Sequence, residues 1–145
     1  DNYPDSLTIP LTGKASHAYL LLAGSTNHMQ CHIANGVIRV HYADGTSETL
    51  ELINPDNWCP IEQDFYVDGI AFCLQTPRLH FKSGLVSNNL EKDLNITGGY
   101  GRSIDGGAGV LLDMLLDPHK ELKSLTLETL SNDVVIGIMG ITLQK

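Results

Sequence analysis

The stretch VIRVHYADGTSETLEL, residues 37–52, decides the fold class of this chain. Its apolar side chains recur at every second position on either side of an Asp44-Gly45 step: Ile38, Val40, Tyr42, Leu50 and Leu52. Alternation with period two places successive side chains on opposite faces of a strand. Asp-Gly between two alternating runs indicates a tight turn, because primed hairpin turns need residues that tolerate positive φ. The stretch therefore predicts an antiparallel β-hairpin with one apolar face.

Similar strand-like patterns run along the rest of the chain. The further strand candidates are 18–23, 69–76, 78–83, 108–115, 122–130 and 134–143. Both faces of the last of these are largely apolar, which predicts a central strand of a packed sheet. Only residues 86–94 have a pattern that allows a turn or two of helix, so the crossover helices of a parallel α/β fold are missing. The sequence predicts one all-β domain over residues 1–145, an antiparallel two-sheet β-sandwich or jelly roll.

Composition excludes several classes of partner. Acidic residues outnumber basic ones 17 to 9 in a chain of 145 residues with a net charge of -8, which disfavours nucleic acid because phosphate binding draws on clustered Lys and Arg. No apolar run approaches the roughly 20 residues that span a bilayer, so we expect no membrane insertion. The chain starts DNYPDSLTIP, without a methionine, and we expect it to be cut from a longer protein.

Metal-binding and catalytic motifs are weak throughout. His28 and His32 are four residues apart but lack the glutamate of a zinc-binding helix, and in a strand they would be about 13 Å apart. Glu62 and Asp64 are two residues apart, and nothing in their spacing brings them together in a cleft as a glycosidase requires. Cys31, Cys59 and Cys73 are odd in number and form no C-x-x-C motif, which favours buried free thiols. We therefore expect no catalytic activity and no cofactor; a structural calcium ion is left open but not indicated.

The segment NPDNWCPIEQDFYVDG, residues 54–69, contains the only tryptophan and leaves two interpretations open. Pro55 and Pro60 exclude a continuous central strand, so a rigid crossing is predicted there. In the first interpretation, Trp58 closes an open end of the sandwich, with its ring buried and its indole N–H bonded to a carbonyl. In the second, Trp58 is exposed and stacks on the flat face of a sugar while neighbouring amide and carboxylate groups bind the hydroxyls.

Three loop segments supply the other candidate ligand-binding residues. They are STNH (25–28), NPDNW (54–58) and GGYGR (98–102). The last of them lies in the glycine-rich segment 98–110, whose glycines do not follow the dinucleotide-binding spacing. That segment is therefore predicted to be a long loop. Loops on a rigid sandwich are where binding residues are usually found. The predicted ligand-binding residues are Asn27, Asn57, Trp58, Tyr100 and Arg102.

Most of residues 18–143 resembles the β-sandwich part of a family of large, uncharacterised proteins from polysaccharide-degrading gut bacteria that are classed as glycoside hydrolases. The resemblance is carried by AYLLLAGSTNHMQ (18–30), by VIRVHYADGTSETLELINPDNWCPIEQDF (37–65) and by GRSIDGGAGVLLDMLLDPHKELKSLTLETLSNDVVIGIMGITL (101–143). The ending is similar to the closing strands of galactose-binding-like accessory domains.

The resemblance implies a galactose-binding-like accessory domain of a secreted or periplasmic carbohydrate-processing protein whose catalytic centre lies elsewhere in the parent chain. Its implied partner is a carbohydrate or a neighbouring catalytic domain of that chain. Two main hypotheses follow: the domain binds a glycan, or it is a structural module packed against the catalytic domain and has no ligand of its own. A stand-alone jelly-roll enzyme is the third and least favoured alternative. A contiguous exposed apolar patch would favour the structural module.

Overall fold

A computed structural model describes residues 3–25, 32–54, 56–58, 60, 78–80, 97–98, 102–103 and 108–145, with only the backbone described at 78–80, 97–98, 102–103 and 108. These residues form ten strands: β1 (Ser6–Pro10), β2 (His17–Ser25), β3 (Ala34–Tyr42), β4 (Ser47–Ile53), β5 (Arg78–His80), β6 (Thr97–Gly98), β7 (Arg102–Ser103), β8 (Ala108–Leu115), β9 (Leu122–Thr129) and β10 (Val135–Gln144). The predicted strand 69–76 and the helical segment 86–94 lie outside the described residues. Within the described part, no helix is long and apolar enough to cross a membrane.

Eight of the ten strands, all except β6 and β7, form two antiparallel sheets of four strands each. We call the sheet with the order β1-β9-β3-β4 sheet A, and the sheet with the order β10-β2-β8-β5 sheet B. Inward side chains of both sheets share one buried core: sheet A contributes Ile38, Val40, Leu52, Leu125 and Leu127, and sheet B contributes Ala18, Leu20, Leu22, Val110, Leu112 and Met114. The prediction of an all-β, antiparallel two-sheet sandwich is confirmed.

The β3–β4 hairpin has the predicted apolar face but a different turn. The amide of Gly45 donates to the carbonyl of Tyr42 over 3.1 Å, and the amide of Tyr42 donates to the carbonyl of Thr46 over 2.9 Å. Gly45 has φ of 89°, whereas Ala43 and Asp44 do not have positive φ. This is a three-residue loop, in which an ordinary turn is followed by one left-handed residue, rather than the two-residue primed turn that Asp-Gly suggested.

Hydrogen bonds inside the turn explain its choice of residues. The carboxylate of Asp44 accepts from the amide of Thr46 over 2.9 Å and from its hydroxyl over 2.6 Å. The hydroxyl bond, followed by the amide bond, lowers the pKa of Asp44 from its usual value. The stabilisation is present above the pKa that the carboxyl has in the unfolded chain, and it is lost as pH falls through the lower folded-state pKa.

Gly45→Val tests this turn, and we expect it to cost about 1–2 kcal/mol of unfolding free energy because a β-branched residue is strained at positive φ. Gly45→Asn should cost less, because asparagine tolerates the left-handed region. No atom lies within 4 Å of a Cβ built on Gly45, so a clash at Cβ does not contribute to the stability difference between the two variants. Urea midpoints for the two variants measure the difference; a valine variant as stable as the asparagine variant would contradict the turn geometry.

Strand β10 corrects the expectation of a central strand, because it lies at the edge of sheet B. Its pairing with β2 shifts register between Ile138 and Gly140, so Ile141 points inward with Ile136 and Ile138. Strict alternation from Ile136 and Ile138 would place Ile141 on the opposite face. The outward face is apolar because it carries glycines and exposed side chains such as Met139, and not because a further layer covers it in the described structure.

Candidate functional site

Trp58 is buried, with 0% of its side chain exposed, and it belongs to the core shared by the two sheets. Its indole Nε1–H donates to the side-chain Oδ1 of Asn35 over 2.9 Å. The interpretation of Trp58 as an exposed surface for a sugar is therefore wrong for this structure, and the buried interpretation is confirmed. The ring fits because it packs beside Gly24, where a side chain would collide with the Cη2 atom of the indole.

The side chain of Asn57 is hydrogen-bonded to the backbone of its own segment. Its side-chain oxygen accepts from the amide of Ile53 over 2.8 Å, and its side-chain nitrogen donates to the carbonyl of Glu51 over 2.7 Å. These bonds close the crossing that follows β4, which gives Asn57 a clear structural role. Of the remaining predicted ligand residues, Asn27 and Tyr100 lie outside the described residues, and only the backbone of Arg102, in β7, is described. The short β6–β7 pairing replaces part of the loop predicted at 98–110.

A cleft that the sequence analysis missed lies at the open edge of the sandwich, between the segment that precedes β1 and the connection from β9 to β10. Its volume is about 570 Å³, within the range of roughly 300–1,000 Å³ that is usual for ligand pockets. We call it the edge cleft; it is lined by Tyr3, Asp5, Thr129, Ser131, Asn132, Asp133, Val134 and Val135. A narrower apolar groove of about 250 Å³ shares several of these residues and continues between β1 of sheet A and β10 of sheet B.

Backbone hydrogen bonds fix the walls of the edge cleft. On one side, the carbonyl of Asp5 accepts from the amide of Thr129 over 2.9 Å and from its hydroxyl over 3.2 Å, which attaches the N-terminal segment to β9. On the other side, residues 130–134 carry the chain from sheet A to sheet B. Asp133 turns this connection with φ of 61°, a conformation that aspartate tolerates better than most residues.

Trp58 supports the edge cleft from inside the protein. Asn35, which accepts the indole N–H of Trp58, also accepts the amide of Leu130 through its backbone carbonyl over 2.9 Å. The hydroxyl of Ser131 donates to the carbonyl of Ala34 over 3.1 Å. The connection 130–134 therefore rests on the start of β3, which in turn is held by the buried tryptophan.

The side chains around the edge cleft include an aromatic ring and several hydrogen-bonding groups. Tyr3 is 70% exposed and offers an aromatic face to the C–H side of a sugar ring. The carboxylates of Asp5 and Asp133 accept hydrogen bonds from hydroxyls, and the amide of Asn132 both donates and accepts them. The cleft thus combines one aromatic surface with several polar groups that donate or accept hydrogen bonds.

Alternation along strands gives no indication of the edge cleft, because its walls are joined by pairing across nearly the whole chain. Ser6 pairs with Glu128 and Leu7 with Leu127, which brings the first residues beside the β9–β10 connection. The only local signals were the Ser131-Asn132-Asp133 run, typical of a loop, and an isolated Tyr3 near the start. Neither signal predicts that the two segments meet.

The described residues contain no group of three or more His, Cys, Asp or Glu side chains placed to hold a metal ion. His32 is exposed in a left-handed turn, while His28, Glu62, Asp64 and the three cysteines lie outside the described residues. Comparison of the chain with protein-family models, with curated proteins and with solved structures finds no match.

The outer face of sheet B is a second surface of interest. Leu115 is 70% exposed there, and Leu111 and Met139 are exposed on the same face. Between them, the rings of His17 and Tyr19 stack in parallel with centroids 5.6 Å apart. His17 Nδ1 lies 2.7 Å from Asp113 Oδ1, and the hydroxyl of Tyr19 donates to Gln144 Oε1 over 2.9 Å. We call this surface the outer patch; it is apolar at its margin and has a bonded polar centre.

Proposed function

We propose that this protein is a non-catalytic accessory domain that binds a glycan in the edge cleft. The observation that carries the proposal is the meeting of exposed Tyr3 with polar groups from Asp5, Asn132 and Asp133 around one open cavity. An aromatic face and a mixed set of donors and acceptors match the two surfaces of a pyranose, which has apolar C–H faces and hydroxyls at its rim. The site differs from the loop cluster predicted around Trp58.

The resemblance to accessory domains of glycoside hydrolases gives this binding a context. Catalysis would lie in another part of a secreted or periplasmic parent protein, and the domain would hold that enzyme near its polysaccharide. No cofactor is required for such a role. The carboxylate pair considered in the sequence analysis, Glu62 and Asp64, lies outside the described residues. The absence of catalysis therefore stays a prediction.

The galactose-binding-like jelly roll is the fold type we propose within the β-sandwich class. Its support is the way in which consecutive strands change sheets: β1, β2 and β3 alternate between sheets A and B, and so do β8, β9 and β10. As a result β9 lies between β1 and β3, while β2 lies between β10 and β8. The β3–β4 hairpin stays within sheet A, so the pairing of the strands between residues 61 and 107 decides the type.

Replacing Tyr3 with alanine tests the glycan site. Wild-type affinity for a suitable oligosaccharide should be weak, with Kd of roughly 10 µM to 1 mM, because the cleft is open to solvent. Tyr3→Ala should weaken binding about twofold to tenfold, since an aromatic contact contributes about 0.5–1.5 kcal/mol beyond its buried area. Calorimetric or NMR titration of a panel of plant and host oligosaccharides measures the effect.

Tyr19→Ala is the matched control, because Tyr19 lies on the outer patch and does not line the edge cleft. It should leave glycan affinity unchanged within about twofold. If Tyr19→Ala abolished binding while a folded Tyr3→Ala kept it, the glycan site would belong to the outer patch.

The second candidate function is a structural module, and the outer patch is the observation that favours it. Exposed Leu111, Leu115 and Met139 on one sheet face are typical of a surface that packs against a neighbouring domain. In that case the catalytic domain of the same parent chain covers the patch. Failure of folded wild-type protein to bind any member of a broad oligosaccharide panel would favour this candidate.

A further inference from the structure

Charge is distributed unevenly around the edge cleft. Asp5 and Asp133 contribute two carboxylates from opposite walls, and none of the described lining residues is Lys, Arg or His. Arg39, on the neighbouring strand β3, forms an ion pair with Glu128, which compensates its charge. The adjoining apolar groove adds no basic side chain among its described lining residues.

A ligand carboxylate inside this cleft would therefore meet two like charges without a basic partner. Two unit charges about 7 Å apart in a water-like dielectric repel by about the thermal energy, which weakens binding about threefold for each carboxylate. Two such carboxylates give a roughly tenfold penalty, and the same numbers favour an ammonium group by a similar factor. The net charge of -8 on the whole chain acts in the same direction, but salt screens these more distant charges more strongly than the two carboxylates of the cleft.

We infer that the edge cleft selects glycans by charge: it binds neutral or amino sugars more tightly than uronic acids, with Asp5 and Asp133 as the selecting residues. This inference rests on the proposed glycan-binding function and names the class of glycan. Neutral sugars use the two carboxylates as acceptors for hydroxyl groups, whereas a uronate at the same position brings a third negative charge.

Three forms of one oligosaccharide test the inference without changing linkage or ring stereochemistry. A neutral oligosaccharide that binds the wild type is compared with its C6-oxidised uronate form and with its 6-amino-6-deoxy form. At low salt, the uronate form should bind about tenfold more weakly than the neutral form, and the amino form at least as tightly as the neutral form. In about 0.5 M NaCl the difference between the three should shrink to less than about threefold, because the Debye length is then only a few Å.

Substitution of the two carboxylates assigns the selectivity to the cleft. Asp133→Asn should reduce the neutral-to-uronate affinity ratio about threefold, and Asp5→Asn with Asp133→Asn should bring it close to one. Both variants should fold, because asparagine tolerates the positive φ of residue 133 and because Asp5 contacts Thr129 through its backbone carbonyl.

Asp44→Asn is the control, since it removes one charge at the hairpin tip, near the opposite end of the sandwich, and keeps an acceptor oxygen for Thr46. It should leave the affinity ratio unchanged. Equal binding of neutral and uronate forms by the wild type, or a ratio that survives the double substitution, would overturn the inference while leaving glycan binding in place. Absence of binding by the neutral form would overturn the proposed function, and the inference with it.

Discussion

Trp58→Ala should remove about 3–5 kcal/mol of unfolding free energy, the range found when large buried aromatic side chains are truncated. The ring is fully buried between the two sheets, and its removal leaves a cavity that strands on both sides cannot close without losing their pairing. Because small domains have only about 5–15 kcal/mol of stability, this loss is a large fraction of the total. Far-UV circular dichroism in urea measures the loss without relying on tryptophan fluorescence.

Trp58→Phe separates the ring from its hydrogen bond. Phenylalanine keeps much of the apolar volume but leaves the Oδ1 atom of Asn35 without its indole donor, so we expect a cost of about 1–3 kcal/mol. The order of stability should be wild type, Trp58→Phe, Trp58→Ala. A folded Trp58→Ala with an unchanged urea midpoint and lost glycan binding would contradict the buried position and restore the interpretation of Trp58 as a binding surface.

Strand positions were largely predictable because a buried sheet face requires an apolar residue at every second position. The segments predicted at 18–23, 108–115 and 122–130 agree with β2, β8 and β9 to within a residue or two at most ends. Strand β1 was missed, since Ser6–Pro10 is mostly exposed at a sheet edge and shows little alternation. The pattern reports which side chains face the core, so it loses its signal where a strand is not buried.

The candidate site was not predictable by the same reasoning. Trp58 follows a strand in a segment with prolines, and local sequence does not distinguish a ring folded back into the core from one that points to solvent. The residue that decides this, Asn35, is 23 positions away and belongs to another strand. The edge cleft depends on a still longer contact, between the N-terminal segment and the β9–β10 connection. Both features arise from tertiary pairing, for which the alternation of apolar residues gives only the face and not the neighbour.

Gly24→Ala should be among the most disruptive small substitutions in this protein, with an expected cost of about 3 kcal/mol or more, at the upper end for an overpacked site. A Cβ atom built on Gly24 would lie 1.9 Å from the carbonyl oxygen of Val135, 2.9 Å from Cη2 of Trp58 and 3.0 Å from Cα of Ile136. Two of these three atoms are backbone, so a change of side-chain rotamer does not relieve the contact. Strands β2 and β10 would have to separate at the end where Val135 lines the edge cleft.

Gly140→Ala is the matched control for Gly24→Ala, because it lies in the same β2–β10 pair and nothing lies within 4 Å of its Cβ position. Its effect should stay within about 0.5 kcal/mol, as for ordinary exposed substitutions. A cycle with Trp58→Phe then identifies the atom responsible. If the Val135 carbonyl dominates, replacing the indole with the smaller phenyl ring leaves the cost of Gly24→Ala nearly unchanged. The changes in unfolding free energy, measured by urea denaturation of the four proteins, should then be additive. Rescue of Gly24→Ala by Trp58→Phe would instead show that the indole sets the spacing between β2 and β10, and equal stability of Gly24→Ala and Gly140→Ala would contradict the close approach of the two strands altogether.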